Sequence, residues 1–326
     1  MSTKQRFVRA AMITALLLGG MTGTAFVESA YAAAPMVKTS APAYYRMMLG
    51  DFEVTALSDG TTVMPVQNLL THTTAEKTRQ MMAASFVQLP YEMNFNAFLV
   101  NTGTKLVLID TGTGAMFGSN LGKLVARLQA SGYKPEQVDE IYITHMHPDH
   151  IGGLVEHGER VFPNAIVRAN QGDADFWLSQ AQMDKAPKEA QAHFKDAMEA
   201  LNPYIQAGRF KPFQGDIELT PGIRSVSLAG HTPGHTGYMI QSKGQKMLVW
   251  GDIVHVPAVQ FAHPDITIHF DTDSAAAEAM REHVLADAAK QGYYIAGAHL
   301  IFPAIGHVRK AGSGYEWVPV SYTELH

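Results

Sequence analysis

Thr144-His145-Met146-His147-Pro148-Asp149-His150 decides the reading of this chain. Three imidazoles and a carboxylate fall between positions 145 and 150, directly after the short apolar run 140–144, which reads as a strand. His145 and His147 are two apart, so an extended backbone turns both to one side. Pro148 begins a turn that brings Asp149 and His150 round to a neighbouring point, and Gly152-Gly153 allows close backbone approach before the next helix. Imidazole and carboxylate without thiolate suit zinc, manganese, cobalt or iron. The chain has no cysteine, so thiolate metal sites and disulfides are excluded, and fifteen histidines are left to explain.

Elements extend from this cluster in both directions. Residues 51–57 and 62–66 flank Ser58-Asp59-Gly60 and read as a hairpin, and residues 98–101 and 105–110 around Thr102-Gly103-Thr104 read as a second. Leu121, Leu124, Val125 and Leu128 mark one face of a helix that Gly132 ends. Residues 165–169 read as a strand, 172–207 as helical, 223–228 as a strand, and 237–241 with 245–250 as a pair around Ser242-Lys243-Gly244. Residues 274–291 form a helix capped by Asp273 or Ser274 and closed by Gly292, and 293–296 and 315–320 supply the last strands. With 326 residues, 46% hydrophobic and 17% charged, the chain is globular and long enough for a sizeable core. No repeat or low-complexity tract divides it, so residues 35–326 read as one domain. The pattern predicts an α+β fold, two β-rich halves with helices on their outer faces, an αββα sandwich.

Residues 1–32 read as a cleaved Sec-type signal peptide. Lys4, Arg6 and Arg9 precede an apolar stretch, and Ala30-Tyr31-Ala32 offers a small-x-small cleavage site. The apolar run is short and broken by Gly19, Gly20 and Gly23, which argues against a membrane anchor. A secreted, periplasmic protein is expected. A formal net charge of −5 argues against nucleic acid as a partner.

The pattern His-x-His-x-Asp-His resembles the signature of the metallo-β-lactamase superfamily. Gly230-His231-Thr232-Pro233-Gly234-His235-Thr236, Leu248-Val249-Trp250-Gly251-Asp252 and Ala298-His299 match that family's later motifs, and Asp110 in Leu108-Ile109-Asp110-Thr111-Gly112 matches its early structural aspartate. The resemblance implies two divalent metals, zinc foremost. One would take His145, His147 and His235, with His235 preferred to His231. The other would take Asp149, His150 and His299, with His307 as the competitor for the last place. Asp252 and a hydroxide would bridge them, and Asp149 would orient the hydroxide or take its proton. His72, His157, His193, His263, His269, His283 and His326 are left as surface or packing residues.

A closer resemblance, to methyl parathion hydrolase, rests on Ser40-Ala41-Pro42-Ala43-Tyr44-Tyr45-Arg46-Met47, the run 49–60, residues 141–150, Ala174-Asp175-Phe176-Trp177-Leu178-Ser179-Gln180 and residues 302–308. It implies a secreted homodimer that hydrolyses organophosphate triesters, with relatives that act on lactones and aryl esters. Phe117, Trp177 and Phe194 match an aromatic trio at the substrate mouth, suited to an uncharged, ring-bearing substrate. His255, Ile268 and Phe270 depart from that pattern. A histidine beside the metals narrows and polarises the pocket, so a lactone or aryl ester is expected to be preferred to a phosphotriester. A glyoxalase II-like thioester hydrolase and a non-enzymatic periplasmic metal-binding protein are the rival readings. Absence of cysteine excludes β-lactamases with a cysteine ligand, and Asp252 argues against those that lack it.

Overall fold

Strand alternation in this chain feeds two cores at once. In Leu106–Ile109, Val107 and Ile109 point into one apolar cluster while Leu106 and Leu108 point into another. Tyr91–Asn101 does the same, with Phe98 and Val100 on one face and Ala97 and Leu99 on the other. Both strands are therefore buried on two sides, one by a second sheet and one by helices. The computed structural model describes residues 34–325, so the expected leader, residues 1–32, lies outside the described residues. The chain divides into a short unit, Met1–Ser40, and a compact unit, Ala41–His326, which carries everything that follows.

Among the described residues, one sheet has six strands in the order Tyr44–Leu49, Phe52–Met64, Tyr91–Asn101, Leu106–Ile109, Glu140–Tyr142 and Ile166–Arg168. The second has seven, in the order Glu218–Thr220, Ile223–Ser227, Thr236–Ser242, Gln245–Val249, Tyr294–Ala296, Ile305–Ala311 and Gly314–Pro319. The inter-sheet core joins Val54, Phe98, Val107 and Tyr142 of the first to Tyr238, Ile240, Met247 and Ile295 of the second. The helix Gln191–Gln206 buries Phe194, Ala197, Leu201 and Tyr204 at helical spacing against the outer face of the first sheet. Ser274–Gln291 covers the second sheet with Val284, Leu285 and Ala288. Its ends are as expected: the Asp273 side chain accepts from the Ala276 amide, and Gly292 is left-handed at φ 71°. The architecture is the expected αββα arrangement, a mixed fold of two sheets with helices outside.

Two local expectations are corrected. Ser58-Asp59-Gly60 makes no hairpin. Phe52–Met64 is one continuous strand with a register shift between Ser58 and Gly60. The bulge turns Asp59 inward, where its carboxylate accepts from Thr113 N and Oγ1, Gly122 N and Leu124 N at 2.8–3.1 Å. A strand at Ile305–Ala311 was also not anticipated. Its last residues, Arg309 to Ala311, are all exposed, which hides the alternation.

Parallel pairing places the chemistry. Leu106–Ile109 and Glu140–Tyr142 run parallel, as do Gln245–Val249 and Tyr294–Ala296. Asp110, residues 145–150, Asp252 and His299 all follow the carboxyl ends of these strands. The two sheets are tied there, because the Thr236 amide donates to the Thr144 carbonyl at 2.8 Å.

Candidate metal centre

The segment 144–150 is held from beneath by Asp110, which sits at φ 62° just past its strand. Asp110 Oδ1 accepts from the Thr144 amide, and Oδ2 accepts from Thr144 Oγ1 and His150 Nδ1, each at 2.8 Å. The Thr111 amide and hydroxyl both donate to the His150 carbonyl, at 2.8 and 2.9 Å. Glycine is required behind the cluster: a Cβ on Gly153 would lie 2.0 Å from the Thr111 carbonyl oxygen. The expected orienting role of Asp110 is thus built into the backbone of the loop.

Two groups of ligating atoms form on this frame, one of His145, His147, His231 and Asp252, the other of Asp149, His150, Asp252 and His299. In the first, His147 Nδ1 lies 3.0 Å from His145 Nε2 and 3.1 Å from His231 Nε2. Asp252 Oδ2 lies 3.6 Å from His145 Nε2 and 3.5 Å from His231 Nε2. Four donors placed tetrahedrally about 2.0–2.1 Å from one centre are about 3.3 Å apart, so this set has the dimensions of a zinc-like site. In the second group, Asp149 Oδ2 is 3.3 Å from both His150 Nε2 and His299 Nε2. Asp252 reaches them with Oδ1 at 3.2 Å from His150 Nε2 and Oδ2 at 3.2 Å from His299 Nε2. The Asp252 carboxylate therefore belongs to both groups.

The structure brings six of the seven expected ligands together and replaces the seventh. His235 is outside both groups. Its Nδ1 donates to the Leu228 carbonyl at 3.0 Å and its Nε2 accepts from the Asp252 amide at 3.1 Å, so both ring nitrogens are spent on the backbone. Burial, followed by the neighbouring His231, pushes its imidazole down to about 3. His231 takes the place instead: Asp271 Oδ1 accepts from its Nδ1 at 2.7 Å, which leaves the Nε2 lone pair facing the group. His299 is the expected sixth member, and His307 lies elsewhere, against Tyr294 with ring centroids 4.3 Å apart.

The same support recurs at each imidazole whose Nε2 faces inward. The far nitrogen of His145 meets Thr144 Oγ1 at 3.1 Å, that of His150 meets Asp110, that of His231 meets Asp271, and that of His299 meets the Asn94 carbonyl at 3.0 Å. Such partners fix ring orientation and tautomer. Burial pushes His145 and His147 well below the usual imidazole range, which keeps them neutral and able to ligate. Burial alone would push Asp252 up, yet His150, His299 and His145 hold it well below the usual carboxylate range. Burial opposes charge on His150 and His299 too, but Asp252 and Asp149 outweigh it and raise both, His299 to about 10. These protons offset two buried carboxylates where a cation would serve equally well. His150 Nε2 and Asp252 Oδ1 are also buried without hydrogen-bond partners. Donor spacing, orphaned atoms and charge together fit two divalent cations.

The expected substrate-pocket residues divide into three kinds. Trp177 reaches the centre, its ring edge-on to His147 with centroids 5.2 Å apart. Phe194 is buried behind Trp177 at 4.7 Å and belongs to the helix-side core, so it supports the wall. Phe117 is 47% exposed on the loop beyond Gly114. His255 stacks on His299 at 5.2 Å and 18°, lies 4.9 Å from His231 and 6.1 Å from Phe270, and points Nε2 at Asp252 Oδ2 from 3.1 Å. Ile268 is buried with Val66 and Leu70 beside Phe270. His193, read from the sequence as surface or packing, lies 5.8 Å from His147 and 6.4 Å from Trp177. Asp173 and Asp271 were not anticipated, because no local pattern distinguishes a buried supporting carboxylate from an exposed one. A cavity of about 880 Å³ lined by Arg224, Lys246, Asp287, Tyr293 and His307 includes none of the ligating residues.

Comparison with known proteins agrees with this geometry. The family described as the metallo-beta-lactamase superfamily matches residues 92–299. A solved structure described as hydrolase AbOPH in the beta lactamase superfamily is 40% identical, with a TM-score of 0.83, covering 88% of this chain and all of that one. A second, AidC, a dizinc quorum-quenching lactonase in complex with a product, N-hexnoyl-L-homoserine, is 28% identical with a TM-score of 0.81 over 86% of this chain and 99% of that one. An N-acyl homoserine lactonase of Bacillus sp is 29% identical over 122 residues, 37% of this chain, and the match spans 40% of that lactonase's length. With a family match over more than half its length and a 40%-identical relative covered end to end, the chain belongs to the metallo-beta-lactamase superfamily.

Proposed function

We propose that this protein is a binuclear metal-dependent hydrolase of uncharged lactones and aryl esters, with organophosphate triesters as a second, weaker class. The observation that carries the reading is the Asp252 carboxylate, shared at 3.2–3.6 Å between two groups of ligating atoms. His145, His147, His231 and Asp252 would hold one cation, and Asp149, His150, Asp252 and His299 the other, zinc being the first candidate. Such a pair, when bound, supplies a water activated at neutral pH and an electrophilic contact for a carbonyl or phosphoryl oxygen.

The chain's own residues do the rest. Asp149 is the more accessible carboxylate of the two, with 16% of its side chain exposed against 3% for Asp252. It is held ionised by His150 and His299 against the effect of burial, so it can orient an attacking water by accepting a hydrogen bond from it. Trp177 and Phe270 offer apolar surface and His255 a polar edge, which suits a neutral ring carrying one carbonyl. An aryl ester releases a phenolate and asks for little general-acid assistance, whereas a lactone opens to an alkoxide that must take up the proton given up by the attacking water. The lactonases among the similar proteins act in the same direction.

A secreted, periplasmic homodimer remains part of this proposal, on the leader-like start of the sequence and the resemblance described above. The test is a substrate panel on metal-reconstituted protein: acyl homoserine lactones, dihydrocoumarin, p-nitrophenyl acetate, a dialkyl aryl phosphate and S-lactoylglutathione. Highest kcat/KM on a lactone or aryl ester is expected. Preference for the thioester makes it a glyoxalase-like enzyme, and metal uptake without turnover of any of the five makes it a binding protein. His255→Leu is expected to raise kcat/KM on the phosphotriester by relieving crowding at a tetrahedral centre; no gain removes the steric account.

A further inference from the structure

We propose that Asp173 is a positioning residue whose carboxylate clamps the two ligand-bearing loops together and so sets the spacing of the first metal group before any metal arrives. Asp173 Oδ2 accepts from the Met146 amide at 2.8 Å, and Oδ1 accepts from the Gly234 amide at 2.6 Å. Met146 lies between the ligands His145 and His147 on the first sheet's loop. Gly234 lies in the turn Gly230–His235, three residues after the ligand His231, at the entry to a strand of the second sheet. One side chain, 1% exposed, thus joins the two halves of the sandwich where their ligands meet.

The approach is too close to be incidental. A Cβ on Gly234 would lie 2.3 Å from the Asp173 amide nitrogen, so only glycine lets this turn reach the carboxylate. The helix Gln171–Trp177 that carries Asp173 is itself anchored, by the Asn170 side chain on the Gly172 amide at 2.8 Å and by the Gln171 amide on the Phe213 carbonyl at 2.7 Å. Trp177, four residues on and therefore on the same helix face, presents its edge to His147. The consequence is local. The clamp controls the 3.1 Å separation of His147 Nδ1 and His231 Nε2. In the second group, His150 is held by Asp110 and His299 by the Asn94 carbonyl, and neither touches Asp173. Two backbone amides need two acceptors, and only a carboxylate offers them; an asparagine would set an NH₂ against one N–H.

This inference rests on the two-metal reading, and the experiment separates the two. Metal-free wild type and D173N are titrated with Zn²⁺ against a chelating indicator. Wild type is expected to take up two equivalents, and D173N to bind one of them about 10- to 100-fold more weakly while the other keeps its affinity. A general loss of packing would not produce that split. Wild-type uptake of fewer than two equivalents overturns the two-metal reading and removes the clamp's purpose. Two equivalents in wild type with both affinities unchanged, or both weakened alike, in D173N overturns the clamp alone. Should D173N fail to fold, hydrogen exchange of the chelated wild type decides: the Met146 and Gly234 amides are expected to stay protected without metal, and exchange at the rate of exposed amides overturns the proposal.

Discussion

The two sheets contribute to the centre in opposite ways. The first supplies His145, His147, Asp149 and His150 from one turn of contiguous sequence, so their relation is fixed by spacing and by the loop's bonds to Asp110 and Thr111. The second supplies His231, Asp252 and His299 from three separate loops, 21 and 47 positions apart in sequence, whose convergence exists only after its strands have paired and packed. The first half is therefore a local structure and the second a tertiary one. The second half accordingly needs carboxylate and carbonyl partners, Asp271, Asp173 and Asn94, drawn from elsewhere in the fold.

The strongest way to break this contrast is to remove the one side chain that both halves share. Asp252→Ala is expected to lower kcat/KM about 10³-fold or more and to reduce metal content by at least one equivalent; retention of both metals would refute the bridging role. His231→Ala against His235→Ala sharpens the comparison within a single loop. His231→Ala is expected to lose one metal equivalent and most activity; the ring is buried and its loss leaves Asp271 without a partner, so it lowers stability too, and metal content is what separates the two variants. His235→Ala is expected to keep both metals but to cost about 2–4 kcal/mol of stability, because it leaves a cavity and strands the Leu228 carbonyl and the Asp252 amide. Metal analysis alongside denaturant unfolding reads both, and the reverse pattern would restore His235 as the ligand. Asp271→Asn is smaller: about 10- to 100-fold in affinity for one metal with the second unaffected, measured by competitive titration. Equal weakening of both would mean that Asp271 supports the fold and not His231 specifically.

Legibility in the sequence followed the same division. The contiguous ligands could be placed from spacing and residue chemistry, and the αββα layering followed from the alternation of strand-like and helical runs. Asp252 and His299 are placed by the resemblance to the family's later motifs, and the structure puts both beyond the carboxyl ends of a parallel pair. His231 and His235 could not be separated this way. They sit four apart around a Pro-Gly turn with similar neighbours, and the pairing of Thr236–Ser242 decides which ring faces the centre and which faces Leu228. Asp59 was misread for a related reason: Ser-Asp-Gly suits a turn, but here the aspartate is turned inward by a bulge and satisfied by four donors from the 113–124 segment. Asp173 and Asp271 leave no local trace, since their roles come from partners up to 61 and 40 positions away.

Anomalous diffraction at the zinc edge from crystals of zinc-reconstituted protein tests the account most directly. Two peaks about 3.5–4 Å apart are predicted, with the Asp252 carboxylate between them, His231 on the peak shared with His145 and His147, and His235 on neither. A single peak, or His235 rather than His231 at that metal, would contradict it.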